Sequence, residues 1–191
     1  MALRTAILAT AFLGTLATLY HVTTSQTSIM ASSSSDQAAL DAVTIELSPA
    51  EGPLAIKVTI QNNSPDKFFT FLRWDSPFCP TVLLTGVLCI KDAETGDEIE
   101  GDILYLNRQL PPRHDCLEEI GPASSATREI KLQAPWIPTD GKKYLLQMRG
   151  SWRAAWPKAI ADVTDYELED YGADIYPVDF ESGPLEMQLK H

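Results

Sequence analysis

In the run Leu54 to Pro77, LAIKVTIQNNSPDKFFTFLRWDSP, Leu54, Ile56, Val58 and Ile60 alternate with Ala55, Lys57, Thr59 and Gln61. A two-residue period turns one set inward and the other outward, which predicts a β-strand with one buried face. Asn62, Asn63, Ser64, Pro65 and Asp66 come next, residues that favour turns through side-chain to backbone bonding or a fixed φ. Phe68, Phe69, Phe71 and Leu72 then carry a return strand up to Trp74. Comparable runs recur over Val43 to Leu47, Gly86 to Lys91, Ile103 to Asn107, Ser125 to Leu132, Lys143 to Arg149 and Leu185 to Leu189. Alternation from Ala126 to Leu132 is imperfect, because Arg128 falls in the apolar set. Turn signals sit at Asn62 to Asp66, Glu94 to Asp97, Gly121 to Ser124 and Pro138 to Lys142. Long helical periodicity and internal repeats are absent. About seven to nine short strands separated by Pro and Gly predict an all-β, two-sheet antiparallel sandwich. Trp152 to Gly183 is the least regular stretch and reads as a long loop or a short helical turn lying over the sandwich.

The N-terminus departs from this pattern. Met1 to Arg4 is short and basic, and Thr5 to Tyr20 is apolar or small without a charge. This predicts a secretory signal peptide over residues 1–25, with cleavage between His21 and Ser35. A single N-terminal membrane anchor is the alternative, but a span needs about 20 apolar residues and this core is shorter. The Ser/Thr-rich residues 26–41 read as a flexible linker, and residues 42–191 as the folded domain. A 45% hydrophobic and 21% charged composition over 191 residues fits one such domain.

A formal net charge of −11 opposes capture of nucleic acid or of an anionic membrane surface, both of which are themselves negative. Export to an oxidising compartment gives three cysteines, Cys79, Cys89 and Cys116, the reading of one disulfide and one leftover thiol. Cys79 and Cys89 make the most economical pair, and pairing of either with Cys116 stays open. Asn62, Asn63 and Ser64 form a sequon that marks Asn62 for N-glycosylation.

Candidate chemistry is sparse. His114, Asp115 and Cys116 are the densest group of metal-competent side chains, but a zinc site needs three or four converging ligands and a disulfide would consume the thiol. There is no Gly-x-Ser-x-Gly elbow, and His114 is the one histidine inside the folded region, since His21 falls in the leader and His191 is terminal. The expectation is therefore no enzyme and no cofactor or metal; the alternative is an accessory catalyst built around His114, Asp115 and Glu118. The acidic run from Asp162 to Glu181 lacks EF-hand spacing and reads as a solvated face. Trp74 reads as core. Trp152 and Trp156, which flank Arg153, read as interface anchors or as core, Trp and Arg being the residues that dominate binding hot spots.

With these residues in view, Ile45 to Leu189 resembles the Ig-like, non-catalytic propeptide region of fungal deuterolysin-type (aspzincin) metalloendopeptidases. VTIQNNSPDK is similar to that family's strand ending in an Asn turn, FLRWDSP to its Leu-x-Trp-Asn-Thr-Pro pattern, and IKDAETGDEIEGDILYLNRQLPP to its strand, Gly turn and Tyr-bearing strand. CLEEIGPASSATREIKL, DGKKYLLQMRG and FESGPLEMQL continue the order. Ser76 in place of Thr, Ala123 at a turn Gly and the Cys79 to Cys89 segment depart from it. A weaker likeness runs to single-domain bacterial intracellular proteinase inhibitors. The resemblance implies an Ig-like sandwich whose partner is another secreted protein, a metalloprotease among them, masked or assisted in folding. The catalytic His-Glu-x-x-His helix of such enzymes has no counterpart here. The rival expectation is a surface or host-interaction protein that reuses the fold.

Overall fold

A computed structural model describes residues 36–52, 54–169 and 178–190. The expected signal peptide and most of the linker lie outside the described residues. The chain divides into two compact units, Met1–Ala38 and Ala39–His191, and the second contains every strand described below. Residues 39–41, assigned to the linker from composition, instead finish a helical turn, and Leu40 is buried in the core. Burial of this one apolar side chain outweighs the polar character of the segment around it.

The second unit is an all-β sandwich of antiparallel strands, as the alternation predicts. One sheet has the order β1(Val43–Pro49), β2(Ala55–Asn62), β6(Ser124–Lys131), with Val43 opposite Asn62 and Ala55 opposite Lys131. A second has the order β10(Leu185–Lys190), β7(Asp140–Ser151), β4(Leu88–Asp92), and β9(Asp179–Glu181) extends it along the far end of β7. A third and smaller sheet has β3(Phe69–Leu72) between β5(Leu117–Ile120) and β8(Ala155–Trp156). In β2, Ile56, Val58 and Ile60 are wholly buried while Lys57 is exposed. On the outer face the Thr59 and Thr127 hydroxyls meet at 3.1 Å across β2 and β6, the kind of cross-strand pair that fixes register.

One apolar core joins all three sheets, with Ile56, Val58 and Ile60 against Phe69, Phe71, Ile90, Leu146, Met148 and Leu189. Trp152 lies at its aromatic centre, with ring centroids 4.7 Å from Phe71, 4.7 Å from Phe180 and 5.2 Å from Phe69. All four residues of β3 are buried, including Thr70, whose hydroxyl donates to the Lys158 carbonyl at 2.7 Å. Phe69 and Phe71 face the main core, while Leu72 joins Leu117, Ala154, Trp156, Val163 and Leu168 in a second one. A strand covered on both faces has no solvent-facing alternate, so its one polar side chain is buried with a partner.

Several local expectations are corrected. Ile103 to Asn107 is irregular rather than a strand; its apolar residues Ile103, Leu104 and Tyr105 are exposed in succession. Three short strands, β5, β8 and β9, were hidden by acidic residues or short length. The irregular stretch after Trp152 holds a short helix, Asp165–Glu169. Thr164 caps it: its amide donates to Glu167 Oε2 at 2.9 Å and its hydroxyl accepts from the Glu167 amide at 3.3 Å, a reciprocal capping box.

Candidate interaction surface

The turn that follows β3 is built from Arg73, Trp74, Asp75 and Ser76. Ser76 is wholly buried, donates its hydroxyl to the Arg73 carbonyl at 2.9 Å and accepts from the Phe78 amide at 3.2 Å. These bonds hold Asp75 at a φ of 50°, a left-handed conformation that side chains other than Gly, Asn and Asp rarely adopt. The Asp75 carboxylate accepts from Arg153 Nε at 2.8 Å and pairs with its terminal nitrogen at 2.7 Å. Arg108 approaches the other oxygen at 3.4 Å, and its guanidinium lies 5.5 Å from the Trp74 ring centroid.

Above this turn runs the loop that follows Gly101. It is held by the Leu104 amide donating to the Leu84 carbonyl at 2.8 Å. It also rests on Gly101, where a Cβ would stand 3.1 Å from the Trp136 ring. Trp136 in turn donates its indole N–H to the Leu83 carbonyl at 3.0 Å. With its backbone fixed, the loop presents Ile103, Leu104, Tyr105 and Leu110 to solvent, four of the six large hydrophobic side chains that are exposed among the described residues. Tyr105 is fully exposed. Between the loop and the turn is a cleft of about 390 Å³ that includes Trp74, Asp75, Arg108 and Arg153 in its lining. A neighbouring hollow of about 490 Å³ is crossed by the Arg149 to Glu98 ion pair at 2.6 Å. Burial, then a hydrogen bond with Glu98, pushes the Cys89 thiol above its ordinary pKa, so that it is a poor nucleophile at neutral pH.

The residues singled out from sequence are dispersed. Trp152 and Trp156 are both buried, at 4% and 6% exposure, so neither is an interface anchor; Trp152 fills the main core and Trp156 the second. Arg153 between them is exposed and reaches Asp75. Asn62 is 1% exposed, and its amide nitrogen donates to the carbonyls of Lys67, Ile120 and Gly121 at 2.8, 3.1 and 3.0 Å. The sequon nitrogen is thus committed to holding two turns together and is closed to a glycan. The expected disulfide is absent, since Cys79, Cys89 and Cys116 are all free thiols. Cys79 lies against the Thr81 hydroxyl at 3.2 Å, Cys89 beside Glu98 and Cys116 toward Asp115 at 3.6 Å, three separate environments.

His114, Asp115 and Glu118 each pair elsewhere: His114 with Asp165 at 3.1 Å, Asp115 with Arg113 at 2.9 Å, and Glu118 with Arg128 at 2.6 Å. Arg128, the residue out of place in the alternation, lies 4.8 Å over the Phe78 ring and so closes the open edge of the core with its charged end paired. Among the described residues no three His, Cys, Asp or Glu side chains are grouped to hold a metal ion. In the acidic run, Asp165 meets His114, Glu181 accepts from the Gln147 side-chain amide at 2.9 Å, and Glu167 pairs with Lys158 at 2.5 Å. Burial opposes ionisation of Glu167, but Lys158 and the Thr164 amide and hydroxyl outweigh that and lower its pKa.

The immunoglobulin-like domain profile matches residues 42–189, nearly the whole of the sandwich just described. The chain belongs to the immunoglobulin-like domain family. Within such a fold the sheets are scaffold, and the loops at their ends vary and carry recognition. The chain is also 29% identical over 124 residues to a protein of Arthroderma benhamiae described as an uncharacterized secreted protein, the match covering 63% of this chain and 62% of that relative. It therefore spans less than two thirds of the relative's length. This immunoglobulin-like protein is secreted, in keeping with its leader-like N-terminus and with the relative's description. No helix among the described residues is long and apolar enough to cross a membrane.

Proposed function

We propose that this secreted immunoglobulin-like chain is a non-catalytic binding module for another protein. The observation that carries the reading is the apolar cluster of Ile103, Leu104, Tyr105 and Leu110, held out on an anchored loop beside two arginines. Exposed apolar groups next to oriented polar ones are what a recognition surface requires. The finer reading makes the partner an extracellular metalloprotease that the module masks or assists; the ordered likeness to deuterolysin-type propeptides supports it. The rival reading is a surface or host-interaction protein, for which the same loop would be the contact.

Capture of partners from the secreted fraction with the purified chain as bait tests the binding role, and titration of the chain into a deuterolysin-type protease tests the finer one. The protease reading expects dose-dependent inhibition, or better recovery of active enzyme on refolding. Recovery of wall or host proteins alone, with no effect on the protease, would leave only the rival.

A further inference from the structure

The cleft between the Asp75 turn and the loop after Gly101 has a charged floor and an apolar rim. On the floor Arg108 and Arg153 converge on one carboxylate, and among the described residues Asp75 is the only charged partner of either. Two positive charges thus face one negative, inside a chain whose formal net charge is −11. A guanidinium carries five N–H donors in a planar fork. Arg153 directs Nε and one terminal nitrogen at a single Asp75 oxygen and is 60% exposed, leaving donors to solvent. Asp75, at a left-handed φ that Asp tolerates, stands between the two.

We infer that this cleft takes an extended segment of a partner protein in which an aliphatic or aromatic side chain neighbours an Asp or Glu carboxylate. The inference rests on the binding-module reading above and names the partner's chemistry. The carboxylate pairs with the free donors of Arg153 and Arg108, and the apolar side chain lies against Leu104 and Leu110. Charge selects among anions. The floor has one net positive charge, which matches a singly charged carboxylate; a phosphate, at about −1.5 to −2, meets Asp75 as well. Donor type selects among carboxylates: chain termini are captured by backbone N–H nests, whereas guanidinium forks suit bidentate pairing with a side-chain carboxylate. A volume of about 390 Å³ is at the small end of ligand sites and holds such a pair of side chains, the rest of the segment crossing Tyr105.

The test is a peptide array probed with the full secreted chain. Short capped peptides place Leu or Phe beside Asp or Glu; matched sets carry Asn or Gln, O-phosphoserine, or an uncapped terminal carboxylate. The Asp and Glu peptides bind about tenfold or more tightly than their amide counterparts, the scale of one charge-assisted hydrogen bond. Higher ionic strength weakens them. Arg153→Ala and Tyr105→Ser, both at exposed side chains and so compatible with folding, each weaken binding by about the same factor. Equal binding of the amide peptides, preference for phosphoserine or for the terminal carboxylate, or no effect of either variant overturns the inference, as does an array on which nothing binds. Should the natural partner still be captured equally by wild type and both variants, the inference fails while the binding reading stands; should no partner be captured and no peptide bind, both fail.

Discussion

Asn62 offers the sharpest stability prediction, because one side chain joins three segments. Its amide nitrogen donates to Lys67, Ile120 and Gly121, its carbonyl accepts from the Ser64 amide at 3.0 Å, and the residue is 1% exposed. Asn62→Ala removes all four contacts at a side chain that is buried in the folded protein. The amide has two protons to share among three carbonyls, so the loss is about two donated bonds and one accepted bond, at about 1 kcal/mol each, or about 3 kcal/mol in all. With a urea slope of roughly 2 kcal/mol per M for a domain of this size, the unfolding midpoint falls by about 1.5 M. Asn62→Asp is at least as damaging at neutral pH, since a carboxylate oxygen replaces the donor and faces those carbonyls unpaired. The assay is urea unfolding followed by tryptophan fluorescence, with the intact mass of the secreted protein measured in parallel. A loss below about 0.5 kcal/mol, within the range of an ordinary surface change, would falsify this account of Asn62, and so would a glycan found on it.

Three further outcomes follow from other parts of the fold. Thiol titration of the denatured protein gives three free thiols, and in the native state half-buried Cys116 reacts before buried Cys79 and Cys89; two thiols lost to a disulfide would contradict this. Gly150→Ala sets a Cβ 2.9 Å from the Phe180 ring, which packs on Trp152, and costs about 1 to 3 kcal/mol by overpacking, whereas Gly183→Ala, with nothing within 4 Å, leaves the urea midpoint unchanged. Glu167 has a pKa lowered in the folded state by Lys158 and Thr164 against the pull of burial, so its contribution is present above the unfolded carboxylate pKa and lost as pH falls through the folded one. Glu167→Gln therefore lowers stability at pH 7 and flattens its acid dependence; an unchanged profile counts against the pairing.

The architecture was legible where a strand has two unlike faces or none. In β2 the alternation of Ile56, Val58 and Ile60 with polar residues is the direct imprint of one buried side, and in β3 both faces are buried, with Thr70 as its one polar member. β5 escaped notice because Glu118 and Glu119 interrupt it, yet Glu118 is held in place by Arg128 from β6 and Arg73 from the turn after β3. Ile103 to Asn107 misled for the opposite reason: Ile and Tyr are strand-favouring residue types, but here Ile103, Leu104 and Tyr105 stand exposed in succession on a loop outside the sheets. Trp152 looked unanchored because its partner Phe180 lies well beyond it in sequence, on β9. The cleft was not legible at all, since Asp75 meets Arg108 across 33 residues and Arg153 across 78, and no local pattern encodes such a convergence. The free cysteines follow the same rule, each thiol's surroundings being fixed by the tertiary fold rather than by spacing.

The central claim is that the loop after Gly101 is the face that meets another protein. A photo-crosslinking benzophenone amino acid in place of Tyr105, fully exposed at the rim, tests it in the organism's secreted fraction against the same group at Thr127, on the outer face of the β1, β2, β6 sheet. Mass spectrometry of the adducts is the readout. The account predicts one dominant protein adduct from position 105, with an acidic and apolar segment of that partner at the crosslink, and none from 127. Equal labelling from the two positions, or no adduct from 105 while the chain still captures a partner, would contradict it.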